Sequence, residues 1–214
     1  HDPLRRQRQM CIRDRLLSHP IQAKIRIAMM KNFFYPVLLM LFFAPLLKAN
    51  EIMIDNFEAT SNVNWDYLSD QVMGGVSEGS ASLGIDSDSG NTYVQMTGDV
   101  STENNGGFIQ LRTRLPSGAN KDVSGVYLRA RGNSQRYYIH LRTRGTMLPW
   151  QYYQAEFDVS EEWQIFRLPL TDFKPSGSWL GKSPSPRSIR SLGIVAYGRD
   201  HRAGIDVDEI GFYD

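Results

Sequence analysis

The chain has 214 residues and a formal net charge of +1, but the charge is unevenly spread. Residues 50–214 carry 12 Arg and 3 Lys against 21 Asp plus Glu, a net of −6, so the whole-chain figure misleads about partners. The one cysteine, Cys11, lies ahead of this region, which excludes a disulfide framework, a thiolate zinc site and a cysteine nucleophile from residues 50–214. At 165 residues the region is still large enough to bury a core without such staples.

In chain order, residues 1–29 show no β pattern, and Arg6–Arg15 resembles translated sequencing-adapter read-through. They are expected to be a non-native leader. Residues 30–49 are expected to be a signal peptide. Lys31 gives its positive start, Phe33–Leu47 its apolar run, and Leu47 and Ala49 the −3 and −1 positions of a cleavage site ahead of Asn50. The run falls short of the about 20 residues of a spanning helix and contains Pro36 and Pro45. Residues 50–214 are therefore expected to be a single exported domain, periplasmic or secreted, that does not span a membrane.

From there the sequence alternates in short segments broken by Gly, Asn, Asp, Ser and Pro. Strands are predicted at 52–57, 77–85, 92–100, 108–115, 123–131, 135–144, 151–159, 163–168, 189–197 and 205–213. Asp86–Asn91 reads as a hairpin turn, Gly132-Asn133-Ser134 as a second turn, and Lys174–Arg187 as a long surface loop. About ten strands and no amphipathic helix predict an all-β fold, a jelly-roll sandwich.

Period-2 alternation assigns faces. Ile109, Leu111, Val126, Leu128, Ala130, Tyr137, Ile139, Leu141, Tyr153, Ala155 and Phe157 point to the core. Gln110, Arg112, Arg114, Tyr127, Arg129, Arg131, Arg136, Tyr138, His140, Arg142, Tyr152, Gln154 and Glu156 point away. Residues 112–144 hold 7 Arg and 1 Lys against one acid, Asp122, a local excess of +7. If these strands are neighbours, they form a polar platform. Its candidate ligand-binding centre is Arg129, Arg131, Tyr138, His140 and Arg142, rimmed by Asp70, Gln71, Asn104 and Asn105. Arginine forks suit carboxylate and phosphate, and tyrosine rings suit sugars. The plainer reading pairs these arginines with Glu103, Glu156 or Asp158 across strands, and uses the double glycines after Asp70 and Asn104 for tight turns.

Catalytic signatures are weak. Gly75-Val76-Ser77-Glu78-Gly79 fits the nucleophile-elbow pattern, but a strand follows it where that motif needs a helix. Neither His140 nor His201 stands at metal spacing. Asp206, Asp208 and Glu209, with Asp55, could offer oxygens to Ca²⁺; solvated acids on an edge strand is the simpler reading. No catalytic residue, metal or cofactor is expected.

Longer motifs are familiar in order: Ser69-Asp70-Gln71-Val72-Met73-Gly74-Gly75-Val76-Ser77, then Gly98–Phe108, Gly125–Gly132, Tyr138–Thr143, Trp163–Pro175 and Gly204–Ile210. Over about residues 54–213 the chain resembles the complex I intermediate-associated protein 30 family. The resemblance implies a galactose-binding-domain-like jelly roll and a family whose mitochondrial members help assemble respiratory complex I. The resulting expectation is a non-enzymatic, assembly-factor-like binding protein of the cell envelope. The alternative is a carbohydrate-binding module for an acidic or polyhydroxylated glycan. The partner is an unidentified protein or a glycan, not nucleic acid.

Overall fold

The structure, a computed structural model, describes residues 50–116 and 122–214. The expected leader and signal peptide lie outside the described residues. Among those that are described, no helix is long and apolar enough to cross a membrane.

Among the described residues, twelve strands form two antiparallel sheets. They are β1 (Glu51–Asp55), β2 (Trp65–Ser69), β3 (Glu78–Ile85), β4 (Thr92–Val100), β5 (Phe108–Arg114) and β6 (Gly125–Gly132). The second half holds β7 (Arg136–Thr143), β8 (Tyr153–Asp158), β9 (Gln164–Pro169), β10 (Lys174–Pro175), β11 (Ile189–Tyr197) and β12 (His201–Tyr213). Sheet A runs β3-β4-β12-β6-β9, with β1 also on β12; sheet B runs β10-β8-β7-β11-β5-β2. The fold is the expected jelly-roll sandwich.

The inward faces match the alternation. Val126, Leu128, Ala130, Ile205, Ile210 and Phe212 of sheet A meet Ile109, Leu111, Tyr137, Ile139, Leu141 and Ile194 of sheet B, all nearly fully buried. Burial on this scale contributes roughly 25 cal/mol per Å² of apolar surface and dominates the driving force. The hairpin β3–β4 forms where expected. The Asp86 Oδ1 accepts the Ser89 and Asp88 amides at 2.9 and 3.2 Å, closing the turn through its side chain.

Four expectations are corrected. Trp65–Ser69 is a strand at the edge of sheet B; five residues interrupted by Asp66 carry little alternation for a sequence to show. The loop after Phe173 opens with the two-residue strand β10. The C-terminal strand starts at His201 and is central in sheet A, not an edge. Most consequentially, Gly132-Asn133-Ser134 does not join neighbours. It is a corner that carries the chain from sheet A (β6) to sheet B (β7), tied by Tyr137 Oη–Asn133 Oδ1 at 2.8 Å and Gly204 N–Tyr137 Oη at 2.7 Å.

Besides a register shift between Met53 and Asp55 in β1, two β-bulges shift the alternation. One inserts Asp208 into β12, so that Ile205 and Val207 before it and Ile210 and Phe212 after it all face the core. The other lies between Ile189 and Ser191 in β11. Ile189 and Leu192 both point inward across it, leaving Arg190 and Ser191 consecutive on the outer side.

Candidate functional site

The corner between β6 and β7 divides the expected platform. Arg129 and Arg131 lie on sheet A, while Tyr138, His140 and Arg142 lie on sheet B. Because the polar face of each sheet points away from the shared core, the two sets do not form one surface.

The sheet A pair is committed to internal contacts. Arg129 forms an ion pair with the buried Asp208. Arg131 Nη1 meets Asp86 Oδ2 and its Nε meets Asp206 Oδ2, both at 3.0 Å. The Trp163 ring lies 5.0 Å from the Arg129 guanidinium and 4.6 Å from that of Arg131. The plainer reading holds for this pair, with different acids from those expected. The acids considered for Ca²⁺ are engaged as well. Asp206 binds Arg131 and Gln95, Asp55 accepts Trp65 Nε1 at 2.7 Å, and Glu209 accepts Tyr127 Oη at 2.7 Å. Among the described residues no group of three His, Cys, Asp or Glu stands ready to hold a metal ion.

Of the expected rim, Asp70 is wholly buried. Its Oδ1 accepts Ser77 N at 2.9 Å, and its Oδ2 accepts Ser77 Oγ and Gly107 N at 2.5 Å and Phe108 N at 3.3 Å. Burial pushes its pKa up, but the Gly107, Ser77 and Phe108 hydrogen bonds outweigh that and hold it below the usual carboxylate value. No oxygen is left for a ligand. A Cβ on Gly75 or on Gly106 would overlap the Asp70 carboxylate, and Gly107 takes φ 123 to aim its amide there. The two double-glycine segments are thus two walls of one carboxylate clamp. Asn104 and Asn105 hold left-handed φ values of 56 and 59, which Asn tolerates, and Gln71 Nε2 donates to Ser77 O at 3.1 Å. Ser77, the serine of the elbow-like pattern, is buried against Asp70 and is followed by a strand.

The outer face of sheet B carries the cleft. The register places Tyr138, Val195, Gln110 and Leu68 in one row across β7-β11-β5-β2. Gln154, His140, Gly193, Arg112 and Asp66 form the next row, and Arg142, Ser191 and Arg114 the third. The central strand β11 therefore contributes only Ser191, Gly193 and Val195 between long side chains on both sides. This produces a trough of about 340 Å³, within the range of ligand clefts. Trp150 and Pro149 wall one side; Val72, Met73 and Asn105, hung on the Asp70 clamp, wall the other.

Rings fill one end. His140 stacks on Tyr152 with centroids 4.1 Å apart and planes 11° apart, and Tyr197 meets His140, Tyr138 and Tyr152 at 5.7, 5.9 and 6.4 Å. Burial in this cluster pushes the His140 pKa down to about 3, so the imidazole is neutral at pH 7. Burial, reinforced by a hydrogen bond with Tyr197, raises the pKa of Tyr152. Arginines fill the other end. A pocket of about 450 Å³ is lined by Arg112, Arg114, Arg142 and Arg190 and shares Arg112, Arg142 and Ser191 with the trough.

Of the nine expected residues, the structure brings His140, Arg142 and Asn105 to this cleft, with Tyr138 in the adjoining ring cluster. Arg112, Arg114, Tyr152 and Gln154 had been assigned the right face but not the site. Ser191, Gly193, Val195, Tyr197 and Arg190 were missed. The available signal was the broken parity of β11, with Ile189 and Leu192 both apolar.

The sequence profile of the complex I intermediate-associated protein 30 family matches residues 55–205. No curated protein matches the chain in sequence. Among solved structures, the family 11 carbohydrate-binding module of the cellulosomal cellulase Lic26A-Cel5E of Clostridium thermocellum is similar, with a TM-score of 0.61 and 16% identity over 76% of this chain and 94% of that one. A family 11 module from the same organism, in complex with a β-1,3-1,4-mixed-linked tetrasaccharide, gives 0.60 and 16% over the same shares. An exo-β-agarase matches at 0.51 and 10% identity over 74% of this chain and 24% of its own. At these identities the likeness is one of fold.

Proposed function

The chain belongs to the complex I intermediate-associated protein 30 family, and from that premise we propose that it is a non-catalytic binding protein whose sheet B trough takes a carbohydrate chain. The observation that carries this reading is the trough itself: a floor of Ser191, Gly193 and Val195 beside stacked rings of His140, Tyr152 and Tyr197. Sugar rings present apolar C–H faces to aromatic surfaces and hydroxyls to polar ends, and this trough offers both. A fold shared with modules of which one is bound to a tetrasaccharide supports the reading.

The lining also favours binding over hydrolysis. Glycoside cleavage generally needs two carboxyl groups flanking the bond. The trough residues include no Asp or Glu, and its histidine is held neutral. A protein partner, as the family's description suggests, is the second reading. Its support is the rim pair Val72 and Met73, 73% and 63% exposed. The concave shape of the trough favours the glycan, because clefts of about this volume take small ligands.

Calorimetry of the protein against soluble mixed-linked β-glucan, agarose oligosaccharides and uronate polymers tests the reading. We expect binding that Tyr197→Ala and Trp150→Ala each weaken about tenfold, the scale of a lost aromatic contact. Absence of binding to every polysaccharide, with a membrane protein co-purifying through a Met73-dependent contact, would replace it with the second reading. We further place this binding outside the cytoplasm, on the strength of Lys31 and the Phe33–Leu47 run. Protein recovered from its source cells should begin at or near Asn50; a retained Met29 or Met30 would overturn that placement.

A further inference from the structure

We infer that the arginine pocket at one end of the trough receives the oxyanion substituent, carboxylate or sulfate ester, of an acidic polysaccharide whose sugar rings lie along the trough. The inference rests on the carbohydrate reading and adds the chemical class of the ligand.

The first argument is charge without compensation. Among the described residues, five arginines outside the pocket find acids: Arg129 pairs with Asp208, Arg131 with Asp86 and Asp206, Arg136 with Asp158 and Glu156, Arg167 with Glu51 and Arg187 with Asp122; Arg144, Arg199 and Arg202 make no ion pair, and none of these three lines the pocket. Arg112, Arg114, Arg142 and Arg190 are gathered in one pocket, and among the described residues no carboxylate lies within 4.0 Å of any of them. Asp66 stands across from Arg112 in the strand register and still makes no ion pair with it. A region with an excess of acids thus leaves four guanidiniums together, although like charges held this close repel. Burial, then the charges of Arg190 and Arg112, lower the pKa of Arg142. A bound anion relieves that repulsion.

The second argument is that two of the four are held in place. Arg142 Nη2 donates to Leu148 O at 2.8 Å and to Thr146 O at 3.3 Å, and Arg190 Nη2 donates to the same Thr146 O at 2.8 Å. The β11 bulge puts Arg190 on this side of the sheet. Arg142 Nε is buried and has no partner, an unmet donor of the kind a ligand oxygen satisfies. Planar guanidinium forks match the paired oxygens of carboxylate and sulfate. Finally, the pocket and trough share Arg112, Arg142 and Ser191. One ligand can therefore carry its anion in the pocket and its rings beside His140 and Tyr152, which a free anion cannot do.

The test compares neutral and charged polymers of like backbone on the full chain: agarose oligosaccharides against sulfated carrageenan oligosaccharides, and mixed-linked β-glucan against the same glucan oxidised at C6 to glucuronate, with inorganic sulfate alone as a further probe. We expect at least one charged polymer to bind about tenfold or more tighter than its neutral counterpart, with affinity falling as salt rises. Which of the two wins identifies the oxyanion. Arg112→Gln and Arg114→Gln, neither of which removes a side-chain hydrogen bond or ion pair made in the structure, should each weaken the charged polymer about tenfold, and Arg114→Gln, which lines the pocket but not the trough, should leave the neutral one within about twofold. Arg136→Gln, outside the pocket, should change neither. Equal binding of neutral and charged polymers, or unchanged binding in the two pocket variants, overturns the inference while the carbohydrate reading stands. Inorganic sulfate alone binding in the pocket overturns the polysaccharide ligand. No binding to any polymer overturns both readings. Should the variants fail to fold, the comparison on the unaltered protein decides.

Discussion

Asp70 accepts four hydrogen bonds from three residues on two loops, Ser77 on one side and Gly107 and Phe108 on the other. Asn in its place keeps the shape but offers one acceptor oxygen and turns an amide N–H toward backbone N–H groups. We expect Asp70→Asn to cost about 3 kcal/mol in urea unfolding, the upper range for hydrogen bonds to a buried charge. Trough affinity should fall as well, since Val72, Met73 and Asn105 hang on this clamp. The Asp70 pKa is depressed in the folded state, so its stabilisation is present above the ordinary carboxylate pKa and is lost as pH falls through the folded value. His140 acts over a different window. Its folded pKa of about 3 lies below the ordinary imidazole value of about 6.5, so the unfolded chain binds a proton first and stability declines as pH drops from about 6.5 toward 3. His140→Phe, which keeps a ring against Tyr152, should flatten the urea midpoint between about pH 6.5 and 5, above the range where Asp70 and the other carboxylates titrate, leaving the part due to His201, whose pKa burial also lowers.

At the scale of the element, β11 is the strand that makes a site out of a sheet. Its inward residues Leu192, Ile194 and Ala196 are core, and its middle outward residues Ser191, Gly193 and Val195 are small where neighbouring strands carry His140 and Arg112. Gly193 has no need for an unusual backbone conformation. A Cβ there would stand 3.3 Å from Gln110 Oε1, a side-chain atom that can move. Gly193→Leu should therefore preserve the strand-dominated circular dichroism spectrum and move the melting temperature by only a few degrees, about 1 kcal/mol. The same change should fill the trough and abolish glycan binding. If binding persists in the folded variant, the ligand lies elsewhere.

For the whole molecule, the two sheets separate stability from binding among chemically similar arginines. Arg129 on sheet A neutralises Asp208, whose pKa burial raises and Arg129 lowers. Arg129→Ala leaves that buried carboxylate alone and should cost about 3 kcal/mol, toward the low end for a broken buried pair because Arg129 is partly exposed. Binding on the opposite sheet should be unchanged. Arg112→Gln should do the reverse, with a urea midpoint near that of the unaltered protein and weakened binding of acidic polymers. Measuring both variants in both assays tests the division directly. Loss of binding in Arg129→Ala at temperatures where it remains folded would contradict it.

Alternation along each strand was legible because it is a local property. A side chain's face follows from its position in a period of 2, and the inward set from Ile109 to Phe157 followed from it. The hairpin at Asp86 and the family motifs are likewise contiguous in sequence. What the tertiary structure decided is which faces are the same face. Arg131 and Arg136 are five positions apart, yet the corner at Gly132-Asn133-Ser134 sends β6 and β7 to opposite sheets. Arg112 and Arg142 are thirty apart, yet β11 lies between their strands and sets them across one trough. Asp70 reads as an exposed polar residue beside glycines until Gly106 and Gly107, far along the chain, close over it. Strand order and bulges are set by the packing of the whole sandwich, in which a one-residue shift reverses every side chain that follows, and no local pattern records that choice.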